Sequence, residues 1–192
     1  PDKMEYVFPS AGEELVMARY VVAFISANGQ TRKIAEAVAA ALKDKGMPAE
    51  LVDIKKARGK INANDLKGVF LGGYIHAGKY PGGLFRFVAR NQQVLSSIPV
   101  HFFTTCLAAK AASEESKKTM DGYLESFRKA SGLAPAAAAF FAGALPYTRY
   151  NPIVRAIMRK ISESTGGDCD TTRDFEYTDW QAVKKFALAG AK

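Results

Sequence analysis

An almost unbroken apolar run, Tyr20-Val21-Val22-Ala23-Phe24-Ile25, stops at Ser26 and gives way, after one polar turn, to an amphipathic stretch. A run without polar alternation fits a strand buried on both faces of a parallel sheet, because a half-exposed strand alternates. Beyond the turn, Ile34, Ala35, Val38, Ala41 and Leu42 share one helical stripe. Lys33, Glu36, Lys43 and Asp44 lie mostly off that stripe, and Gly46 closes the helix. Buried strand, short polar loop and amphipathic helix are the opening unit of an α/β fold.

The same rhythm continues. Residues 49–54 read as a second strand, weaker and peripheral because Glu50 and Asp53 interrupt it. Residues 67–73 make a third strand, and 83–95 a helix packing through Phe85, Val88 and Leu95. A fourth strand covers 100–105 after Pro99, and 114–130 form a helix with a charged face. Small residues with Phe140-Phe141 make the fifth strand at 136–143, and 179–189 the last helix. Five strands alternating with helices predict a doubly wound sheet with helices on both faces.

One segment breaks the rhythm. Residues 144–178 separate the fifth strand from the last helix, where a few residues suffice. Arg149, Arg155, Arg159 and Lys160 lie there with no acid before Glu163, and Ile153, Val154, Ile157, Met158 and Ile161 recur at helical spacing. A basic amphipathic helix inside an insertion, about 145–178, is the expectation. Its apolar stripe packs on the domain or meets another surface, and the spacing favours neither.

Composition narrows the function classes. The chain of 192 residues is 48% hydrophobic and 24% charged, which suits one ordinary core at 19–192 and excludes a disordered or collagen-like chain. Residues 1–18 carry Asp2, Glu5, Glu13 and Glu14 against Lys3, unlike the basic remainder, and read as an extension without signal-peptide character. The net charge of +8 suits an acidic partner or surface. Nucleic acid is the weakest such partner, since the aromatics form no stacking-platform motif. Cys106 and Cys169 form no C-x-x-C pair, which argues for a reducing cytoplasm and against a cysteine metal site. His76 and His101 lack companions at ligand spacing, so no metal is expected. The longest apolar tract, 133–146, contains Pro135 and Pro146 and is too short to span a bilayer.

Open α/β sheets bind ligands beyond the carboxyl ends of their strands. The first such loop, Ser26-Ala27-Asn28-Gly29-Gln30-Thr31, places hydroxyls, an amide and a flexible glycine at a helix N-terminus, where backbone N–H groups attract an anion. A phosphate fits, although a polar cap alone also explains the residues. No Walker motif and no G-x-G-x-x-G follows the first strand. Tyr74, Ile75, His76, Ala77 and Gly78 after the third strand, and Thr105, Cys106 and Leu107 after the fourth, offer apolar surfaces and backbone donors for a flat ring. His76 is more simply a solvated residue, and Cys106 a packing residue, than catalytic groups.

Ser26-x-Asn28-Gly29-x-Thr31 resembles the phosphate loop of flavodoxins, with Asn28 where those usually carry Thr. Three further stretches resemble the oxygen-independent, menaquinone-dependent protoporphyrinogen oxidase family. They are Ala142-Gly143-Ala144-Leu145 with Tyr147-x-Arg149-Tyr150, then Gly166-Gly167-x-x-Asp170-Thr171, and then Tyr177-Thr178-Asp179-Trp180-x-x-Val183-x-x-Phe186-Ala187. The likeness spans about 20–189. His76 stands where an arginine is expected, Thr105-Cys106 also departs, and residues 1–18 have no counterpart.

This resemblance implies a flavodoxin-like sheet of strand order 2-1-3-4-5 and bound FMN, its phosphate on Ser26 to Thr31. The flavin ring is then expected between residues 74–78 and 105–107, with the flavin rather than a protein residue carrying the chemistry. It further implies oxidation of protoporphyrinogen IX in haem biosynthesis with a menaquinone-type acceptor. Arg149, Arg155, Arg159 and Lys160 are then expected to meet substrate carboxylates or the inner face of the cell membrane. Two alternatives from the residues are a flavodoxin-like electron carrier or quinone reductase without porphyrinogen activity, and a non-catalytic basic binding module.

Overall fold

A computed structural model describes residues 18–57, 59–164 and 167–191. The extension expected at 1–18 lies, apart from Ala18, outside the described residues, as does Gly166 of the sequence motifs.

Strand β1 (Arg19–Phe24) is buried from Tyr20 onward, as its unbroken apolar run requires. It leads to helix α1 (Gln30–Lys43), whose stripe of Ile34, Ala35, Val38 and Leu42 is fully buried. Then follow β2 (Ala49–Asp53), β3 (Leu66–Tyr74), α2 (Gly82–Arg90), α3 (Gln92–Leu95), β4 (Val100–Cys106), α4 (Glu114–Ser131) and β5 (Ala137–Ala142). The five strands form one parallel sheet in the order β2-β1-β3-β4-β5. That is the expected order, and β2 is an edge strand, as Glu50 and Asp53 foretold.

Side chains alternate between two cores, one on each face of the sheet. Val22, Phe24, Phe70, Phe103 and Phe141 pack on α1 and on the last helix, α6 (Trp180–Ala189). Val21, Ala23, Leu71 and Phe102 pack instead on α2 and α4. Phe127 is the one buried residue of α4, and its ring stacks on Phe102 with centroids 3.8 Å apart. One helix expected over 83–95 is two, broken at Asn91. The Asn91 side chain donates to Phe87 O at 2.9 Å and accepts from Ile61 N–H at 2.7 Å, so it serves the crossing 61 loop and ends α2.

The segment 144–178 contains α5 (Pro152–Ser164) and two strands that sequence patterns did not reveal. These, β6 (Ala144–Leu145) and β7 (Phe175–Glu176), pair antiparallel and close the segment on itself. Two residues per strand are too few to show a period. Among the described residues no helix is long and apolar enough to cross a membrane.

Buried in β4, His101 stacks on Phe70 with centroids 4.9 Å apart, and its Nδ1 has no partner among the described residues. Burial lowers its pKa from the ordinary histidine value, so the unfolded chain binds the proton more tightly. The contribution to stability is complete above the unfolded value of about 6.5 and is lost as pH falls from there through the folded pKa. We expect urea unfolding midpoints to decline below that pH in the native protein, and His101→Phe to flatten the decline.

Candidate functional site

Loops at the carboxyl ends of β1, β3, β4 and β5 surround a cleft of about 390 Å3. Ser26, Ala27, Asn28, Gln30 and Thr31 line it from the first loop, Tyr74, Ile75 and His76 from the second, and Thr105, Cys106 and Leu107 from the third. Gly29, Ala77 and Gly78 shape those loops without lining the cleft.

Gly29 lies in the left-handed region (φ +94°), and its N–H donates to Ser26 Oγ at 3.1 Å. This turn starts α1 with no side-chain cap, whereas Ser113 caps α4 and Asp179 caps α6. The first-turn N–H groups of α1 and the positive end of its dipole are thus available to an anion at the cleft. The Gln30 side chain has a different task. Its Nε2 donates to Thr178 Oγ1 at 2.8 Å, which donates to Ala142 O at 2.7 Å, tying the start of α1 to the end of β5.

The second loop turns tightly. His76 and Lys79 exchange backbone hydrogen bonds of 3.0 and 3.1 Å, with Ala77 (φ 47°) and Gly78 (φ 76°) as central residues. A left-handed alanine costs about 1 kcal/mol, strain borne next to the cleft. The neighbouring Ile75 N–H donates to Thr105 O at 3.0 Å and ties the second loop to the third. Burial raises the Cys106 pKa, so its thiol is protonated at neutral pH. Thr105 Oγ1 is buried and has no hydrogen-bond partner among the described residues. A buried hydroxyl left unpaired costs about 1–3 kcal/mol, so this atom at the cleft points to a ligand group.

Gly143, just after β5, and Ala144, Arg149, Tyr150, Asn151, Val154 and Met158 of the insertion roof the cleft. Of these only Arg149 was among the sequence candidates. The fifth strand's carboxyl end, and the Gly143-Ala144 and Arg149-Tyr150 motifs, held the signal for three of the others, Gly143, Ala144 and Tyr150. Burial, first, raises the Tyr150 pKa and keeps its phenol protonated, and its hydroxyl meets the Asn28 side chain. Arg149 stands at the rim, 72% exposed and 3.8 Å from Asp174. Arg155 takes another role, donating to the carbonyls of Tyr147 (2.9 Å) and Tyr150 (3.1 Å), so it fixes the roof. Arg159 and Lys160 lie outside the cleft, along an outer depression with Glu163.

Asp168 anchors the roof. Its carbonyl accepts from Tyr147 Oη and Ser162 Oγ, each at 2.7 Å, and its carboxylate accepts from Tyr177 Oη and, at 2.9 Å, from Lys110 Nζ. The Tyr177 hydrogen bond, then that of Lys110, holds the Asp168 carboxyl below the usual carboxylate range. Lys110 follows β4 and stacks 4.0 Å above the Tyr177 ring, so the roof is tied to the third loop.

Residues 21–172 match the flavodoxin domain family. The chain belongs to that family. It is 33% identical over 165 residues to protoporphyrinogen IX dehydrogenase [quinone] of Leishmania major, covering 85% of this chain and 71% of the relative. It is 30% identical over 167 residues to the Escherichia coli K12 protein of the same name, covering 87% and 91%. The resemblance to protoporphyrinogen oxidases read from the sequence is borne out by both. In fold it is similar to Bacillus cereus flavodoxin 1 (TM-score 0.52, 16% identity, 90% and 95% covered). It is likewise similar to a short-chain flavodoxin associated with a bacterial microcompartment (0.55, 14%, 91% and 97%).

Family membership implies a flavin and an oxidoreductase, and the site fits one: the uncapped α1 N-terminus suits a phosphate, and Thr105, whose buried hydroxyl has no partner among the described residues, lines a cleft with apolar sides. Thr105→Val removes that hydroxyl at nearly constant shape. We expect the flavin-free variant to melt higher, by about 1 kcal/mol of stability, and to bind flavin more weakly than the native protein. Paired calorimetric melts with and without flavin check both signs.

Proposed function

We propose that this protein binds FMN and oxidises protoporphyrinogen IX to protoporphyrin IX with a menaquinone-type acceptor, as a step of haem biosynthesis. The observation that carries the reading is the alignment over 87% of the chain and 91% of a relative named for that activity. The two free thiols suit a reducing cytoplasm.

In this reading the N–H groups opening α1, with Ser26, Asn28 and Thr31, hold the phosphate, and Gly29 gives it room to approach. Tyr74, Ile75, Cys106 and Leu107 enclose the ring, and Thr105 Oγ1 gains a partner. The bound flavin supplies the electron exchange between porphyrinogen and quinone, which protein side chains cannot perform. The chain's own task is position and shelter. Val154 and Met158 exclude water from the roof side. A flavin nucleotide takes up most of a cleft this size, so the tetrapyrrole presents an edge at the mouth. There the exposed guanidinium of Arg149, loosely held by Asp174, is free to pair with a propionate carboxylate. Burial keeps the Tyr150 hydroxyl a hydrogen-bond donor beside Asn28.

The test is an anaerobic assay of FMN-loaded protein with protoporphyrinogen IX and a menaquinone analogue, read by porphyrin fluorescence. We expect porphyrin to form only with both flavin and quinone present, and Arg149→Ala to raise the porphyrinogen KM about tenfold. Quinone reduction by NAD(P)H or a protein donor, with no porphyrin formed, would instead identify a quinone reductase or electron carrier.

A further inference from the structure

A second cavity, of about 530 Å3, opens at the same carboxyl edge of the sheet, on the side of α2. Ile25, Ile54 and Tyr74, at or just past the ends of β1, β2 and β3, line it. So do three cations: Lys55 from the loop after β2, and Arg86 and Arg90 from α2. Among the described residues no acid lines this cavity, and neither Lys55 nor Arg86 makes an ion pair. The neighbouring Asp53 carboxylate is taken by Arg32 at 2.8 Å and by the Lys55 backbone N–H at 3.0 Å. Arg90 donates to Ala57 O at 3.3 Å, a carbonyl that leaves its charge uncompensated.

These charges repel one another as they stand. Arg86 and Arg90 are four residues apart, so two like charges share one face of α2. The Arg86 guanidinium also folds back over the first turn of its own helix, its Nη1 3.4 Å from the position a Cβ on Gly82 would take. That turn carries no acid and no side-chain cap, and it is the positive end of the helix dipole, where a cation is disfavoured. We propose that the cavity binds a small organic anion of two or more negative charges through Lys55, Arg86 and Arg90. Guanidinium forks take phosphate and carboxylate oxygens two at a time, and Ile25 and Ile54 offer an apolar wall to the body that carries them. One dianion turns three mutual repulsions into attractions.

Tyr74 lines both this cavity and the cleft at the start of α1, so the two share a wall. Their charged groups are separate, since Lys55, Arg86 and Arg90 do not line the cleft. An anion held by them is therefore additional to a phosphate at α1. With a flavin ring against Tyr74, the occupant of this cavity sits one side chain away from it. That consequence rests on the flavin reading, whereas the anion site does not.

Titration calorimetry of the full chain at low salt, with inorganic pyrophosphate and in parallel with glutarate, tests the site without turnover. In saturating FMN we expect one anion bound per chain, weakened about tenfold by Lys55→Gln with Arg86→Gln. Lys43→Gln with Lys45→Gln lowers the net charge equally at the far end of α1 and leaves the affinity unchanged. Tighter binding of pyrophosphate marks a phosphate compound as the occupant, and tighter binding of glutarate a carboxylate. All four positions are exposed, so near-native thermal melts confirm that the variants fold. Absence of saturable binding by both probes, or equal weakening by the two double variants, overturns the proposal. So does binding that FMN abolishes, which would place the anion at the start of α1. Should the native protein take up no FMN, the flavin reading falls, while the comparison of the two double variants still decides the anion site.

Discussion

The position of β1 between β2 and β3 governs the rest of the molecule. The chain leaves β1 through α1 on one face of the sheet and leaves β3 through α2 on the other. The loops after these adjacent strands therefore diverge, and a crevice opens between them at the carboxyl edge. The opening is a product of connectivity, so its walls are loops and its floor is rigid parallel sheet. Buried apolar strands hold that floor. Their alternating side chains fill two cores at once, so substituting one core residue moves the loop edge only through a stiff support.

What distinguishes this cleft is its roof. The segment 144–178 has few deeply buried apolar residues, apart from Leu145 and the fully buried Tyr147. It is held instead by polar ties that converge on Asp168 and by the Gln30–Thr178–Ala142 relay. Each such bond contributes only about 1 kcal/mol net, so the roof owes its order to their number and mutual support. A roof fixed from its inner side is also what leaves the outer isoleucines of α5 exposed.

Much of the framework is legible in the sequence, because period and burial are local signals. The run at 20–25, the stripe of α1 and the interrupted edge strand each follow from residues close in the chain. The resemblance motifs extend that reading to strand order and flavin chemistry. Features that depend on distant partners are not legible. Nothing near Asn91 announces that its carboxamide serves Ile61 and breaks a helix. Asp168 reads as an ordinary loop acid until Lys110 and Tyr177 are placed beside it. The four cations of the insertion look equivalent in sequence, yet Arg149 stands at the cleft, Arg155 holds carbonyls, and Arg159 and Lys160 face outward.

The central claim is that the uncapped start of α1 holds the phosphate of a flavin nucleotide. The direct measurement is a fluorescence titration of flavin-free protein with FMN and, in parallel, with riboflavin, which has the same ring and no phosphate. The account predicts saturable quenching at one FMN per chain, with riboflavin bound about a hundredfold more weakly, since the helix terminus has no anion to meet. Equal affinity for the two ligands, or no binding of FMN, would contradict it.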